Sequence, residues 1–262
     1  MQNEILSVCL PTGKKAYFAS DFHLGSPNYQ NSREREDRII AWLSSVEDEM
    51  AVLFLLGDIF DFWFEYKNVI PKGYIRFLGK LAAINDRGIP IYFFVGNHDM
   101  WAADYLEKEI GLKIYKGPQK VIINQHPFMI GHGDGLGPGD YGYKCIKKIF
   151  SSSFNRAVFA CLHPRWAFAL ACNSSKKSRN ADLVKANREE IERIKNDNLV
   201  CYIRHLLSLE HFDYFIFAHR HLPIKQNIEA SSSLYINTGD WLTYNTYVVF
   251  DGQSLELKSY LG

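Results

Sequence analysis

The sequence predicts a layered α/β fold, and three observations carry that prediction. Short apolar runs rich in β-branched and aromatic residues recur along the chain, each ending in a polar cluster. Segments of helical period separate the first three of these runs. The chain has 262 residues, 47% of them hydrophobic, which is enough for one sizeable core carrying an insertion.

The runs come in a regular order. Lys15–Ser20 leads into Asp21–His23, Ala51–Leu56 into Gly57–Asp61, and Ile91–Val95 into Gly96–Asp99. Lys120–Ile123 and Phe128–Ile130 precede Gly131–Asp134, and Tyr214–Phe217 precedes Ala218–His221. Between the first three, Arg33–Val46 carries Ile39, Ile40, Trp42, Leu43 and Val46 on one face. Tyr74–Asn85 does the same with Ile75, Leu78, Leu81 and Ala82, before a stop at Gly88. Strand–helix–strand alternation builds a layered sheet, and ligands of such sheets bind beyond the carboxyl ends of the strands. All five polar clusters fall there.

The stretch 139–211 reads differently. Helical patterns cover Tyr141–Phe150, Phe154–Ala171, Asn180–Asn196 and Leu199–Leu209. This stretch is expected to form an insertion between two parts of one core, residues 1–138 and 212–262, and to project over the site the clusters build. Ser233–Asn237 and Tyr247–Phe250 then supply strands, with Thr238–Gly239–Asp240–Trp241 between them.

Charge and cysteine usage narrow the setting. The formal net charge is +1, and no basic stripe with interleaved aromatics tracks a nucleic-acid strand, so nucleic acid is not an expected partner. Basic residues do cluster between Lys144 and Arg204, where an anion-facing surface and a solvated helix face are equally good readings. The five cysteines, Cys9, Cys145, Cys161, Cys172 and Cys201, form no C-x-x-C pair and are expected reduced and mostly buried. The opening stretch lacks a basic start followed by a long apolar core, and no apolar run approaches the ~18 residues of a membrane span. A cytoplasmic protein is expected.

Each polar cluster alone reads more readily as a capped loop than as a ligand set. Five in succession reverse that balance, because they bring together Asp21, His23, Asp58, Asn97, His132, His219 and His221. Imidazole mixed with carboxylate and amide oxygen suits two divalent cations such as Mn²⁺, Fe²⁺ or Zn²⁺. If Asp58 bridges both ions, Asp21, His23 and His221 remain for one, and Asn97, His132 and His219 for the other. Positions stay open for water and substrate, and two ions ~3.5–4 Å apart can activate the water and clamp phosphate oxygens.

These motifs, Asp21-x-His23, Gly57-Asp58-x-x-Asp61, Gly96-Asn97-His98-Asp99, Gly131-His132-Gly133-Asp134 and His219-x-His221, resemble in order those of the calcineurin-like metallophosphoesterases. The resemblance spans roughly Tyr17 to Phe250 and implies a β-sandwich flanked by helices, with two metals, Mn²⁺ foremost. The last motif departs from the usual Gly-His-Thr-His by reading Ala218-His219-Arg220-His221; both histidines survive, and Arg220 adds a charge. The family implies a catalytic role for His98 at the scissile phosphate, where a cationic imidazole would stabilise developing charge. Asp61, Asp99 and Asp134 read either as acceptors that fix the orientation of ligand rings or as turn caps.

Within that family, GDIFDFWFEY, GNHDMW, HGDGLGPGDYGYK and NTGDW are similar to the UDP-2,3-diacylglucosamine diphosphatases of lipid A synthesis. The reaction implied is hydrolysis of UDP-2,3-diacylglucosamine to UMP and 2,3-diacylglucosamine 1-phosphate. A lipid-linked sugar nucleotide and peripheral contact with the inner membrane surface come with it. The resemblance points to Asp140, Tyr143, Asn173 and Lys177 as substrate contacts, and to the apolar Phe154–Cys172 stretch as a lid for acyl chains. Ordinary core packing explains that apolar stretch equally simply. His98 stands where the best-known members have Arg, which bears on the substrate and leaves the chemistry unchanged. Two other readings share the motifs: a phosphoesterase acting on another monoester or diester, and a scaffold that has kept the fold, which the full set of ligand residues disfavours.

Overall fold

Alternation along two adjacent strands decides the layering. On β2 (Lys15–Ala19), Ala16 and Phe18 enter one core while Tyr17 and Ala19 enter another; β3 (Met50–Leu55) divides Val52 and Phe54 from Leu53 and Leu55 in the same way. Strands buried on both faces read as continuous apolar runs, which is how they appear in the sequence. In this computed structural model, residues 5–139, 141–168, 197–229 and 231–261 are described.

The remaining strands are β1 (Leu6–Val8), β4 (Ile91–Phe94), β5 (Lys113–Tyr115), β6 (Gln119–Ile123), β7 (His126–Ile130), β8 (Tyr214–Phe217), β9 (Pro223–Asn227), β10 (Leu234–Thr238), β11 (Thr246–Phe250) and β12 (Leu255–Ser259). They form two six-stranded sheets, ordered β12-β11-β2-β3-β4-β5 and β1-β6-β7-β8-β10-β9. One core lies between them: Phe18 stacks on Phe54 with ring centroids 4.8 Å apart and on Phe128 of the opposite sheet at 6.2 Å. The second core packs the β2–β3–β4 face against α1 (Tyr29–Val46), α2 (Ile75–Asp86) and α3 (Tyr105–Ile110). The architecture is thus a β-sandwich with helices on it.

Local chemistry sets the helix ends. Asn28 caps α1, its side chain accepting from the Asn31 N–H at 3.0 Å. The buried stripe of that helix runs through Arg35, Ile39, Trp42 and Leu43. Tyr74 has a left-handed φ of 58°, so α2 begins at the next residue; beyond Arg87, Gly88 at φ 77° turns the chain away.

Two compact units divide the chain, Met1–His132 with Phe212–Gly262, and Gly133–His211. The second contains α4 (Tyr141–Phe150), α5 (Ser153–Ala160) and α6 (Asn198–Leu209). The continuous helix expected over Phe154–Ala171 is interrupted: α5 stops at Ala160 and helical geometry resumes only at 164–168. Pro164 is the reason, since it lacks an N–H and pushes the preceding residue out of the helical region. The helix expected over Asn180–Asn196 lies outside the described residues.

The expectation of buried cysteines is overturned. Cys9, Cys145 and Cys161 are free and exposed, Cys201 is free and half-buried, and Cys172 lies outside the described residues. Cys9 follows the edge strand β1, and Cys145 belongs to α4, which buries none of its residues. Among the described residues, no helix is long and apolar enough to cross a membrane.

Phe54 is fully buried between the sheets. Phe54→Ala should therefore lower the unfolding free energy of the metal-free chain by about 3–5 kcal/mol in a urea titration. A loss under about 1 kcal/mol would mean that the inter-sheet layer does not carry the fold.

Candidate metal centre

The turns that carry Asp21, His23 and Asp58 follow strand ends and hide the residues between or beside them. Phe22, between Asp21 and His23, points into the helix-side core, edge-on to Trp241 at 5.5 Å and Phe77 at 5.8 Å. Ile59 and Phe60 do the same after Asp58. With the intervening side chains so anchored, the polar ones face the opposite way. The cost is backbone strain: Asp21, His23, Asp58, His219 and His221 all have left-handed φ, between 43° and 69°. Non-glycine residues rarely adopt that region, and such strain gathers at functional sites.

Close approach of the turns requires two glycines. A Cβ on Gly57, whose φ is 88°, would lie 2.6 Å from the Gly96 N and 2.7 Å from His132 Nδ1. A Cβ on Gly96 would collide with the Asp58 carboxylate. Asp99 joins the same turns, accepting from Ile59 N at 2.8 Å and Gly96 N at 2.6 Å. Of the two readings of this residue, these bonds are those of a cap: Asp99 holds backbone rather than a histidine ring.

Three groups of ligand-type atoms result among the described residues; Asp58 belongs to two of them, and His23, Asp61 and His98 form the third. Asp21, His23, Asp58 and His221 bring ligand atoms within 4.8 Å of one another, as do Asp58, His132 and His219. Asp58 Oδ2 lies 3.8 Å from His23 Nε2 and 3.4 Å from His132 Nε2. His221 Nε2 is 3.3 Å from both His23 Nε2 and Asp21 Oδ1. Asn97 joins through its side-chain oxygen, 3.2 Å from His132 Nε2.

The donor set fits divalent cations. Asp21 Oδ1 is buried with no hydrogen-bond partner, which a neutral pocket would not tolerate cheaply. The far ring nitrogens are occupied elsewhere: His132 Nδ1 donates to Leu56 O at 2.7 Å, and His221 Nδ1 lies 3.3 Å from Asp240 Oδ2. His23 Nδ1 faces Asp61 Oδ1 at 3.4 Å without the alignment of a hydrogen bond. This pattern leaves Nε2 bare and turned inward, the arrangement that metal-binding histidines need.

The titration behaviour follows from burial and neighbours. Burial opposes ionisation of Asp58, but the imidazoles of His132 and His98 prevail and hold its carboxyl well below the usual carboxylate range. Asp21 is likewise lowered, against its burial, by His221 and His23. Asp99 is pushed up to about 7 by burial and by the charge of Asp58. The expectation of a cationic His98 does not hold in the metal-free pocket, because burial pushes that imidazole down to about 4. Its Nδ1 is 2.9 Å from Asp61 O, so Nδ1–H donates there and Nε2 carries the lone pair, 4.0 Å from Asp58 Oδ2.

Of the other anticipated residues, Asp134 and Tyr143 belong to the helical unit. Asp134 accepts from Tyr143 Oη and Lys147 Nζ, each at 2.6 Å. Asp140, Asn173 and Lys177 lie outside the described residues. One carboxylate had no role assigned from the sequence: Asp240, 4% exposed, whose Oδ2 faces His221 while Oδ1 accepts from Thr243 N at 2.9 Å and Tyr244 N at 3.0 Å. The signal was there in an acid directly after a strand, as at Asp21 and Asp58.

Residues 14–223 match the calcineurin-like phosphoesterase family, and the chain belongs to it. With the acid–imidazole groups above, this makes the protein a metal-dependent hydrolase that uses divalent ions. It is 36% identical, over 94% of its length and 97% of the relative's, to the UDP-2,3-diacylglucosamine hydrolase of Porphyromonas gingivalis. It is also 25% identical to the protein of that name from Vibrio atlanticus, over 94% and 97% of the two chains. Against that of Proteus mirabilis it is 26% identical over 92% and 96%.

Asp240→Asn keeps an oxygen for the Thr243 and Tyr244 N–H groups and removes the charge facing His221. Mn²⁺ affinity should fall about 10–100-fold by titration calorimetry. Unchanged affinity would reduce Asp240 to a turn cap.

Proposed function

We propose that Asp21, His23, Asp58 and His221 hold one divalent cation and that Asp58, Asn97, His132 and His219 hold a second. The metal proposed is Mn²⁺, with Fe²⁺ and Zn²⁺ as alternatives. The reaction proposed is hydrolysis of UDP-2,3-diacylglucosamine to UMP and 2,3-diacylglucosamine 1-phosphate, by attack of water on the α phosphorus. The chemistry rests on one observation, the position of Asp58 Oδ2 within 3.8 Å of imidazoles from both of its groups. The substrate is supported by the name of the relatives that this chain matches nearly end to end.

When bound, such a cation pair supplies positive charge to phosphate oxygens and lowers the pKa of water. The protein's part is arrangement. Asp58 is shared, its Oδ1 accepting from His98 N at 2.8 Å, which leaves Oδ2 for the ions. His98 is pinned through Nδ1 to Asp61 O, and its Nε2 would donate to the reacting phosphate or its leaving oxygen once protonated, which the negative charge of bound phosphate favours. Donors held in place cost no reorganisation during the reaction.

We also propose that 139–211 acts as the cap, with core parts 1–138 and 212–262, and that it receives the acyl chains. Phe154, Val158, Leu162 and Trp166 are exposed, with Arg156 and Arg165 among them. Apolar surface beside a few cationic anchors suits a ligand with lipid chains and phosphates. Contact with the inner membrane surface, where such a lipid resides, is part of the same reading.

Incubation with UDP-2,3-diacylglucosamine and Mn²⁺ should release UMP, and release of no UMP sinks the substrate assignment. Asp58→Ala should empty both sites by metal analysis, whereas His98→Ala should retain both ions and lose ~10²–10³ in kcat. Metal loss in His98→Ala would make it a ligand. A further variant, Val158→Ser with Phe159→Ser, should cut turnover of the diacylated substrate far more than that of bis-p-nitrophenyl phosphate, since each methylene left in water costs ~0.8 kcal/mol. Equal losses on both would return the helix to ordinary packing.

A further inference from the structure

The turn from Asp21 to Ser26 is held by backbone and by side chains of α1, among them Ser32, whose Oγ accepts from Gly25 N at 2.6 Å. Three N–H groups of the turn donate into the adjacent turn: Asp21 N to Gly57 O at 3.0 Å, His23 N to Asp58 O at 2.9 Å, and Leu24 N to Ile59 O at 3.0 Å. Bonds of this kind are open to any sequence. Asp21 O and Leu24 O also meet backbone, accepting from Trp241 N at 3.2 Å and Asp61 N at 2.9 Å, but three other carbonyls of the turn meet a side chain. Arg35, 5% exposed on the core-facing stripe of α1, donates from Nε to Phe22 O at 2.6 Å. Its Nη2 reaches His23 O at 2.6 Å and Ser26 O at 2.5 Å.

We propose that Arg35 is a positioning residue of the metal centre, its guanidinium fixing the backbone on both sides of His23. The proposal rests on the reading of Asp21 and His23 as metal ligands. Three features argue that support of the fold alone is not its role. The stripe positions that follow, Ile39, Trp42 and Leu43, are apolar, and the buried polar neighbours Ser32 and Glu36 bond to Gly25 N and Phe77 N rather than to Arg35. Burying a guanidinium is costly unless its donors are met, and here they are met by carbonyls of the ligand-bearing turn. One guanidinium joins the carbonyls of Phe22, His23 and Ser26, adding to the local Ser26 N–His23 O bond of 3.1 Å beside a His23 held at φ 43°.

The fork geometry explains why arginine stands there. A planar guanidinium presents donors at fixed angles to several acceptors, whereas an ammonium is a point donor on a flexible stem. Release of the Phe22, His23 and Ser26 carbonyls would let the turn relax toward ordinary φ. The imidazole of His23 would then swing away from Asp58 and His221. Groups that orient metal ligands in this way typically contribute a factor of about 10–100 in affinity.

The test is Mn²⁺ titration calorimetry on the metal-stripped full chain, with thermal unfolding of the same samples. Arg35→Met should weaken one of two Mn²⁺ sites about 10–100-fold, and Arg35→Lys should weaken it less. Glu36→Gln is the control for a purely structural effect. Glu36 is equally buried, but its carboxylate accepts from Phe77 N and Arg33, away from the turn. That variant should unfold earlier and bind Mn²⁺ as the wild type does. If Arg35→Met does not fold, Arg35→Lys decides the matter. Two Mn²⁺ bound at wild-type affinity in the folded Arg35 variant overturns the positioning role and leaves the metal assignment standing. Absence of Mn²⁺ binding by the wild type, or unchanged binding in His23→Ala, overturns the metal assignment and the role of Arg35 with it.

Discussion

The constraint on which the centre depends is the burial of two carboxylates, Asp21 and Asp58, among imidazoles from other turns. Charges this deep are costly unless matched by opposite charge and hydrogen bonds. The imidazoles supply part of the match, holding both acids ionised against their burial. Divalent ions held as proposed would supply more, at the Asp21 Oδ1 that has no hydrogen-bond partner. Stability and metal occupancy are therefore linked, because an ion that binds only the folded chain stabilises it by mass action.

The sandwich is built to meet that constraint. Strands β2, β3 and β4 of one sheet and β7 and β8 of the other end at the same place, so the turns carrying Asp21, Asp58, Asn97, His132 and His219 converge there. The aromatic residues beneath, Phe22, Trp42, Phe77 and Trp241, hold those turns rigidly enough to keep ligand residues in left-handed conformations. Metal geometry demands that rigidity, since a site loose by an ångström binds and reacts poorly. Polar side chains add to it locally: Asp99 ties the Asp58 turn to the Asn97 turn, and Arg35 ties the carbonyls beside His23.

The helical unit follows different rules. Its α4 buries no residue and Phe154 and Trp166 are largely exposed, whereas its α6 buries Leu199, Val200 and Ile203. Among its described residues, Tyr143 and Lys147 meet one carboxylate, that of Asp134. Exposed apolar surface of this kind commonly marks a binding surface.

The strands that carry the turns were legible in the sequence because they are buried on both faces. Long apolar runs such as Ala51–Leu56 and Tyr214–Phe217 leave little choice of structure, and their polar ends announce themselves. The short edge strands Leu6–Val8, Lys113–Tyr115 and Leu255–Ser259 were not legible, since partial exposure breaks the apolar pattern. The same division holds at the centre. Residue type and spacing were enough to single out Asp21, His23, Asp58, Asn97, His132, His219 and His221 as candidate ligands, because metal chemistry accepts few side chains. Which imidazole nitrogen faces inward, that His98 is neutral and pinned to Asp61, and that Arg35 and Asp240 serve the turns were decided only by the tertiary structure. Those properties depend on burial and on contacts between residues far apart in the chain, and a linear pattern does not encode either.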